Sequence, residues 1–217
     1  MTKFDLAQFI DHTQLKPYVG QEALRLLCVQ ALRYRFACVC VLPQYVKLCA
    51  GILRDSSIGV ATVVGFPLGS TYTEAKIAES IKAIENGATE LDMVMDLTAA
   101  IDGSWDQVQN DIEGVVRAAA GVTVKVIIET CYLTKEQISK ACQVILATRA
   151  NFIKTSTGFG SAGAQLEDVA LIKSITNGKI GIKAAGGINN RQLALDFITA
   201  GATRIGTSSG VFLVEGN

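Results

Sequence analysis

The sequence lacks the long hydrophobic runs of membrane proteins and the one-sided charge of nucleic-acid-binding proteins. No apolar stretch reaches the roughly 18 residues of a transmembrane helix, and the start, MTKFDLAQFI, has no apolar signal-peptide region. The 20 basic and 20 acidic side chains cancel, so electrostatics do not support a nucleic-acid or membrane-surface role. We therefore expect a cytoplasmic protein that acts on a small molecule and binds neither nucleic acid nor membrane.

Histidine and closely spaced cysteines are also scarce, which argues against a metal centre. His12 is the only histidine, and Cys38 and Cys40 are the only close pair among six cysteines. Structural zinc sites need clustered ligands of these types. A chain of 217 residues is also large enough to fold without disulfides. We expect reduced core thiols, no metal ion and no cofactor.

Eight short apolar segments alternate with longer helical patterns along the chain. No Asn-Gly or Asp-Gly turn joins two adjacent segments, so every connection is long enough for a crossover helix. This arrangement indicates a parallel sheet covered by helices. The strand candidates begin at Ile10, Ala37, Gly59, Glu90, Thr123, Asn151, Gly181 and Thr203.

Two parallel architectures fit this pattern, a closed barrel and a doubly wound sheet. A barrel takes about 250 residues and can shrink to about 200, whereas doubly wound sheets more often have five or six strands. Eight repeats in 217 residues favour an α/β fold of the (β/α)8 TIM-barrel type, as a single domain over residues 1–217. We expect a short N-terminal helix and a short or missing last helix.

Three lysines, Lys125, Lys154 and Lys183, lie within predicted strands. Barrel chemistry occurs at the carboxyl ends of the strands. Lys125 lies near the start of its strand, which favours a structural ion pair, whereas Lys154 and Lys183 run directly into Thr, Ser and Gly residues. The alternative for all three lysines is a purely structural ion pair with a carboxylate such as Asp92, Asp96 or Glu129.

A second lysine near the first would favour a neutral amine. Two ammonium groups about 6 Å apart repel by about 2.8 kcal/mol at an effective dielectric constant of 20. If Lys183 stays charged beside a carboxylate such as Asp92, Lys154 is the amine that loses its proton. A neutral amine attacks carbonyl carbon and forms a Schiff base.

Glycine-rich turns follow three of the strands. GFGSAG (158–163) matches a dinucleotide fingerprint, but it follows the sixth strand and lacks the acidic residue about 20 positions later, so a phosphate loop is the better interpretation. AAGGI (184–188) and GTSSG (206–210) end strands seven and eight, where barrels often bind phosphate. Each motif alone fits a tight turn equally well. Together they favour a phosphorylated substrate.

Eight motifs now support a family resemblance over nearly the whole chain. The sequence resembles the deoxyribose-phosphate aldolase family in IDHTQLKP, VCVLPQYV, VVGFPLGS, ELDMVMD, KVIIETCYLT, FIKTSTGF, GIKAAGGI and RIGTSSG. The resemblance implies a class I aldolase that reversibly cleaves 2-deoxy-D-ribose 5-phosphate to D-glyceraldehyde 3-phosphate and acetaldehyde without metal, in deoxyribose phosphate catabolism. It also leaves open a homodimer or a homotetramer, because apolar outer helices fit both internal packing and contact with a second copy.

The resemblance also implies roles for individual residues. Lys154 matches the Schiff-base lysine, Lys183 the second lysine and Asp92 the proton-relay carboxylate. The phosphate-binding positions are Gly158, Gly186, Gly187, Ser208 and Ser209, and the positions bordering the site are Asp11 and Thr13.

Several positions depart from the family pattern. Asp96 replaces a common Asn, Phe159 a lysine beside the phosphate in some members, and Leu42 another common Asn. The chain also ends at Asn217 without the tyrosine tail of some members, which implies slower protonation of the enamine. Cys40 falls at a position that lines the site in the family, although a buried core thiol is the favoured interpretation. The alternatives are another Schiff-base aldolase or transaldolase, and a sugar-phosphate sensor.

Overall fold

The computed structural model describes residues 3–216, and its eight parallel strands close into a barrel. Each strand pairs with its neighbours in sequence, and the first pairs with the last. This confirms the predicted (β/α)8 barrel and excludes the open doubly wound sheet. The strands are β1 (Ile10–Gln14), β2 (Cys38–Val41), β3 (Gly59–Val64), β4 (Glu90–Val94), β5 (Thr123–Ile127), β6 (Phe152–Lys154), β7 (Gly181–Ala185) and β8 (Arg204–Thr207).

Helices lie on every connection between strands and cover the outside of the barrel. The predicted short first helix and short last helix are both present. Within residues 3–216, no helix combines the length and the apolar character needed to cross a membrane. The helices are α1 (Lys3–Ala7), α2 (Gln21–Tyr34), α3 (Val46–Leu53), α4 (Thr73–Glu85), α5 (Leu97–Ile101), α6 (Trp105–Ala118), α7 (Lys135–Ala147), α8 (Leu166–Thr176), α9 (Arg191–Ala200) and α10 (Gly210–Glu215).

The main core lies between the strands and these helices. In α6, the buried residues Val108, Ile112 and Val115 recur at helical spacing, so one apolar face packs inward. A capping box fixes the start of α7, where Thr134 accepts from the Gln137 amide and the Gln137 side chain accepts from the Thr134 amide. The expected lack of a signal peptide and of a tyrosine tail involves residues 1, 2 and 217, which the structure does not describe.

One ion pair is buried between two of the outer helices. Lys76 of α4 has no exposed surface, and its Nζ donates to Asp111 Oδ2 of α6 at 2.6 Å and to the Val94 carbonyl oxygen at 2.9 Å. Burial raises the pKa of Asp111, against the lowering effect of Lys76. Because Val94 lies two residues after Asp92, the ammonium group also holds the end of the strand that carries this candidate site residue.

We predict that Lys76→Met lowers the free energy of unfolding by about 3–5 kcal/mol, because it leaves the Asp111 carboxylate buried without its partner. Lys82→Met in the same helix is the matched control, since Lys82 and its partner Glu85 are 70% and 58% exposed. That change should cost less than about 1 kcal/mol. Urea unfolding of both variants measures the difference, and equal losses would contradict a stabilising role for the buried pair.

Candidate active site

Charged side chains from six strands meet inside the barrel. Strand side chains alternate between the two faces of a sheet, so Glu90 and Asp92, two residues apart in β4, both point into the barrel. The register places Asp92 beside Lys125 and Lys154 beside Lys183 on neighbouring strands. The complete set is Asp11, Glu90, Asp92, Lys125, Lys154, Lys183 and Arg204.

Asp92 is the carboxylate that both candidate lysines contact. Its Oδ2 accepts from Lys154 Nζ and from Lys183 Nζ, each at 2.7 Å, and its Oδ1 accepts from Lys125 Nζ at 2.8 Å. Burial raises the pKa of Asp92, but the lysines outweigh it and hold that pKa well below its ordinary value. The structure thus brings the three predicted residues Asp92, Lys154 and Lys183 together, and Asp92 is an ionised partner of three amines.

Lys183 has a second carboxylate partner in Asp11. Lys183 Nζ donates to Asp11 Oδ2 at 2.5 Å. Burial lowers the pKa of Lys183, but Asp11 and Asp92 outweigh it and raise that pKa well above its ordinary value. The two carboxylates thus favour the charged form of Lys183. Asp11 was expected only to border the site, yet it is a direct partner of the second lysine.

Lys125 forms the structural ion pairs that its position near the start of β5 predicts. It contacts Glu90 as well as Asp92, and its Nζ lies 3.8 Å from Asp11 Oδ2. Burial lowers the pKa of Lys125, but these carboxylates outweigh it and raise the pKa above its ordinary value. Lys125 therefore supports Asp92 from the side opposite Lys154 and Lys183.

Two of the carboxylates weighed as lysine partners have other roles. Asp96 caps α5, where its Oδ1 accepts from the Ala99 amide at 3.0 Å. Glu129 accepts from the amide and the hydroxyl group of Thr157. Asp96 and Glu129 were therefore wrong as lysine partners, because each lies beyond the end of its strand and serves the backbone or a side chain of a neighbouring loop.

Glu90 and Arg204 are members of the cluster that the sequence analysis missed. Arg204 Nη1 donates to Asp11 Oδ1 at 2.6 Å and to both Glu90 carboxylate oxygens at 3.3 Å. The ion pairs close into what we call the charged ring, which consists of Asp92, Lys183, Asp11, Arg204, Glu90 and Lys125 in order of contact. Glu90 could have been predicted from the sequence, because it lies two residues before Asp92 and so shares its face of the strand.

Asp11, Cys38 and Glu90 lie close enough to share a metal ion, but their chemistry does not fit one. Both carboxylates already bind cationic side chains, Arg204 in each case. Burial raises the pKa of the Cys38 thiol well above its ordinary value, which disfavours the thiolate that a metal requires. These three side chains are better explained as part of the ion-paired interior.

The opposite side of the barrel interior is apolar. A small cluster of Cys38, Cys40, Ala61 and Val63, with Leu15, packs there, and Leu42 packs against it. Cys40 Sγ lies 4.0 Å from Asp92 Oδ2, and burial raises the pKa of that thiol. All six cysteines are free thiols. The favoured interpretation of Cys40 as a buried core thiol agrees with this environment.

His12 points away from the charged ring, because it alternates with Asp11 and Thr13 along β1. Its Nε2 lies 2.8 Å from Gln30 Oε1 of α2. Burial lowers the pKa of His12, which favours a neutral imidazole. The single histidine therefore belongs to the packing between β1 and α2 and lies on the other face of the strand from Asp11, the partner of Lys183.

A cavity of about 420 Å³ opens at the carboxyl ends of the strands. Lys154 lines it, whereas Asp11, Asp92 and Lys183 lie beneath it with no exposed surface. The strands therefore present one amine, that of Lys154, to the cavity and keep the charges that surround it out of water. The other predicted site residues along its wall are Thr13, Gly158, Gly186, Gly187, Ser208 and Ser209.

The glycine-rich loop after β6 packs against the loop after β7. A Cβ atom on Gly163 would lie 2.2 Å from the Gly186 carbonyl oxygen, so only glycine allows this approach. The Ala164 amide donates to the Ala185 and Gly186 carbonyl oxygens at 3.1 and 3.2 Å. The loop forms part of the cavity wall and does not directly open α8, which agrees with the rejection of a dinucleotide fingerprint.

Phe159 of this loop lies at the cavity beside a second aromatic ring. Its ring meets that of Phe66 edge to face, with the centroids 5.3 Å apart, and Phe159 remains about half exposed. The cavity wall therefore has an aromatic side chain at the position where the family resemblance implied a lysine in some members.

Comparison with known proteins places this geometry in one family. A family model described as DeoC/LacD family aldolase matches residues 6–212. The deoxyribose-phosphate aldolase of Thermococcus gammatolerans is 52% identical over 100% of this chain and 98% of its own length. That of Caldicellulosiruptor saccharolyticus is 49% identical over 99% of each chain.

Solved structures of aldolases have the same fold as this chain. A deoxyribose phosphate aldolase from Aeropyrum pernix, described as having a unique tetrameric structure, superposes with a TM-score of 0.93 and 34% identity over 99% of this chain and 91% of that chain. An aldolase named QR15 has a TM-score of 0.94 and 40% identity over 97% of this chain and 95% of that chain.

We predict that Asp11→Asn destabilises the protein in a pH-dependent way. Burial raises the pKa of Asp11, but nearby cations, Lys183 most of all, outweigh it and lower the pKa from 3.8 to about 2. A depressed pKa stabilises the fold above pH 4, by about 2 kcal/mol, and this stability is lost as the pH falls towards 2. The difference in unfolding free energy between wild type and variant should therefore narrow over that interval.

Denaturant unfolding at pH 7, 4 and 2.5 measures this difference. Asp55→Asn is the control, because Asp55 is exposed on the surface and its loss should leave the pH dependence of the wild type unchanged. A difference between Asp11→Asn and wild type that stays constant from pH 7 to 2.5 would contradict the proposed charge interaction.

Proposed function

The chain belongs to the DeoC/LacD family of aldolases, and from this premise we propose that it reversibly cleaves 2-deoxy-D-ribose 5-phosphate to D-glyceraldehyde 3-phosphate and acetaldehyde. The observation that carries the proposal is the placement of Lys154 on a cavity, 2.7 Å from a carboxylate that it shares with a second, buried lysine. The names of relatives about half identical over their full length support this substrate. The activity would serve the breakdown of deoxyribose phosphate.

The balance of charge in the barrel supports Lys154 as the nucleophile. The charged ring contains three cations and three carboxylates, so it is neutral without Lys154. The charges of the ring therefore balance without a charge on Lys154, which acts as a neutral amine in the proposed reaction. The free amine attacks C1 of the open-chain sugar, and loss of water gives a protonated imine, which serves as an electron sink.

Asp92 and Lys183 are suited to the proton transfer that accompanies cleavage. When the Lys154 amine becomes an imine it has fewer N–H groups to donate to Asp92 Oδ2, which leaves this oxygen able to accept from a water molecule. The proton of the C3 hydroxyl group passes through that water to Asp92 as the C2–C3 bond breaks. The electrons of this bond flow into the imine to form an enamine, and glyceraldehyde 3-phosphate leaves first.

The second half of the reaction returns the enzyme to its starting state. The enamine takes a proton at carbon and becomes a protonated imine of acetaldehyde. Water then adds to the imine carbon, the carbon–nitrogen bond breaks, and acetaldehyde and the free Lys154 amine are released. Lys183 stays charged in this scheme, because Asp11 and Asp92 both hold it.

The glycine and serine side of the cavity is suited to the phosphate group. Gly186 and Gly187 have positive φ values of 88° and 78°, a conformation that favours glycine and lets backbone amides turn towards a ligand. Ser208 and Ser209, after β8, add hydroxyl groups, and Gly158 lies on the same cavity. Phosphate sites of barrels commonly form from the loops after strands seven and eight.

The proposal also includes a cytoplasmic location and assembly into a homodimer or a homotetramer. The balanced charge of the chain and its small, phosphorylated substrate support a cytoplasmic enzyme. The tetramer described for the Aeropyrum pernix relative supports assembly into more than one subunit. Light scattering of the purified protein measures the number of subunits directly.

We predict that acetaldehyde and borohydride together label Lys154 with an ethyl group, because reduction fixes the imine on the amine that formed it. Digestion and mass spectrometry identify the modified peptide. Lys154→Met should abolish this label and lower kcat for deoxyribose phosphate by about 10⁴-fold or more. Lys179→Met, an exposed position at the opposite end of the barrel, should retain both.

Substrate comparison separates the proposed activity from that of another Schiff-base aldolase or a transaldolase. We expect turnover of 2-deoxy-D-ribose 5-phosphate to exceed turnover of fructose phosphates. A label on a lysine other than Lys154 would overturn the assignment of the nucleophile. A label on Lys154 with faster turnover of fructose phosphates would instead overturn the substrate while leaving the chemistry in place.

A further inference from the structure

We propose that Lys16 is the cation that neutralises the substrate's phosphate group, and that it reaches this group from the loop between β1 and α2. The inference rests on the proposed function and deepens it. It gives this chain a specificity residue for phosphorylated sugars that lies outside the phosphate-binding positions implied by the family resemblance.

The charge of the cavity lining is the first argument. Among the described residues that line the cavity, no carboxylate is present, and the lysines are Lys16 and Lys154. Lys154 lies 2.7 Å from Asp92 and acts as a neutral amine in the proposed reaction, so it supplies no charge to the phosphate. Lys16 forms no ion pair with any carboxylate in the described part of the chain. Lys16 therefore provides the uncommitted positive charge on this wall.

The backbone of Lys16 is held at the cavity edge. Pro17 restricts the preceding residue to an extended conformation, and the Lys16 amide donates to Gln14 Oε1 at 3.2 Å. Further along the loop, the Tyr45 hydroxyl group donates to the Val19 carbonyl oxygen at 3.0 Å. Contacts on both sides of Lys16 thus fix where its side chain begins.

The side chain itself is free to move. Lys16 is exposed, and its Nζ lies 6.0 Å from the centre of the Tyr18 ring. A contact of this kind at an exposed site contributes only about 0.5–1 kcal/mol. A lysine side chain combines a flexible stem with a compact charge. Lys16 can therefore leave the Tyr18 ring for a stronger opposite charge at little cost in free energy.

A phosphate monoester is such a charge, because it carries between −1.5 and −2 elementary charges at about pH 7. The amides and hydroxyl groups that line the proposed phosphate site are neutral. Phe159, which also lines the cavity, adds no positive charge. A lysine that closes over the phosphate from the loop after β1 would stabilise the bound substrate without touching the reacting carbon atoms.

We predict that Lys16→Met raises KM for 2-deoxy-D-ribose 5-phosphate by about tenfold to a hundredfold, the usual effect of losing a hydrogen bond to a charged group. kcat should change by less than about threefold, because the lysine is distant from the chemistry. kcat/KM for unphosphorylated 2-deoxy-D-ribose should stay that of the wild type. Lys16→Arg should keep most of the affinity, and Lys179→Met should match the wild type on both substrates.

Binding of inorganic phosphate, followed by calorimetry, tests Lys16 separately from the reaction. We expect Lys16→Met to weaken this binding by about tenfold or more, and added NaCl to weaken it in the wild type more than in the variant. Unchanged phosphate affinity in Lys16→Met, or no phosphate binding by the wild type, would overturn the role of Lys16. Failure of the wild type to cleave deoxyribose phosphate, with phosphate binding still dependent on Lys16, would overturn the proposed reaction alone.

Discussion

The interaction on which the site depends is the sharing of one buried carboxylate by three lysines. Asp92 binds Lys125 through one oxygen, and Lys154 and Lys183 through the other. Burying charges is expensive unless each finds a partner of opposite sign and good geometry. The charged ring meets this condition with equal numbers of cations and carboxylates. It leaves Lys154 as the amine whose charge has no carboxylate of its own.

The charged ring and the cavity form two layers along the axis of the barrel. The charged ring lies below the cavity and has little contact with water, so its side chains are held in place before any substrate arrives. Such fixed charges need no reorganisation during a reaction, which is the main advantage of a preorganised site. Above the ring, glycine and serine residues of the loops form the cavity wall. The rigid strands fix the position of the Lys154 amine, and the loops determine the shape and the polar groups of the cavity that it lines.

Much of this organisation was readable from the sequence because barrel strands carry strong local signals. The eight strands, the crossover helices and the positions of Lys154 and Lys183 near the ends of neighbouring strands follow from apolar patterns and from charges inside strands. The partners of the lysines did not follow. They depend on the register between strands, which aligns Lys183 with Arg204 and is set by closure of the whole barrel. Asp96 and Glu129 therefore seemed as plausible as Asp92, while Glu90 and Arg204 were missed.

The two lysines that line the cavity have opposite requirements. In the proposed reaction Lys154 acts as a neutral amine, and it lies among buried groups whose charges already balance. In the proposed phosphate role Lys16 acts through its positive charge, and it lies exposed at the cavity edge. Burying a charge costs more than leaving it in water, so the two proposals match each role to the depth of its lysine. This difference in depth would let lysine serve as nucleophile at one end of a sugar phosphate and as counter-ion at the other.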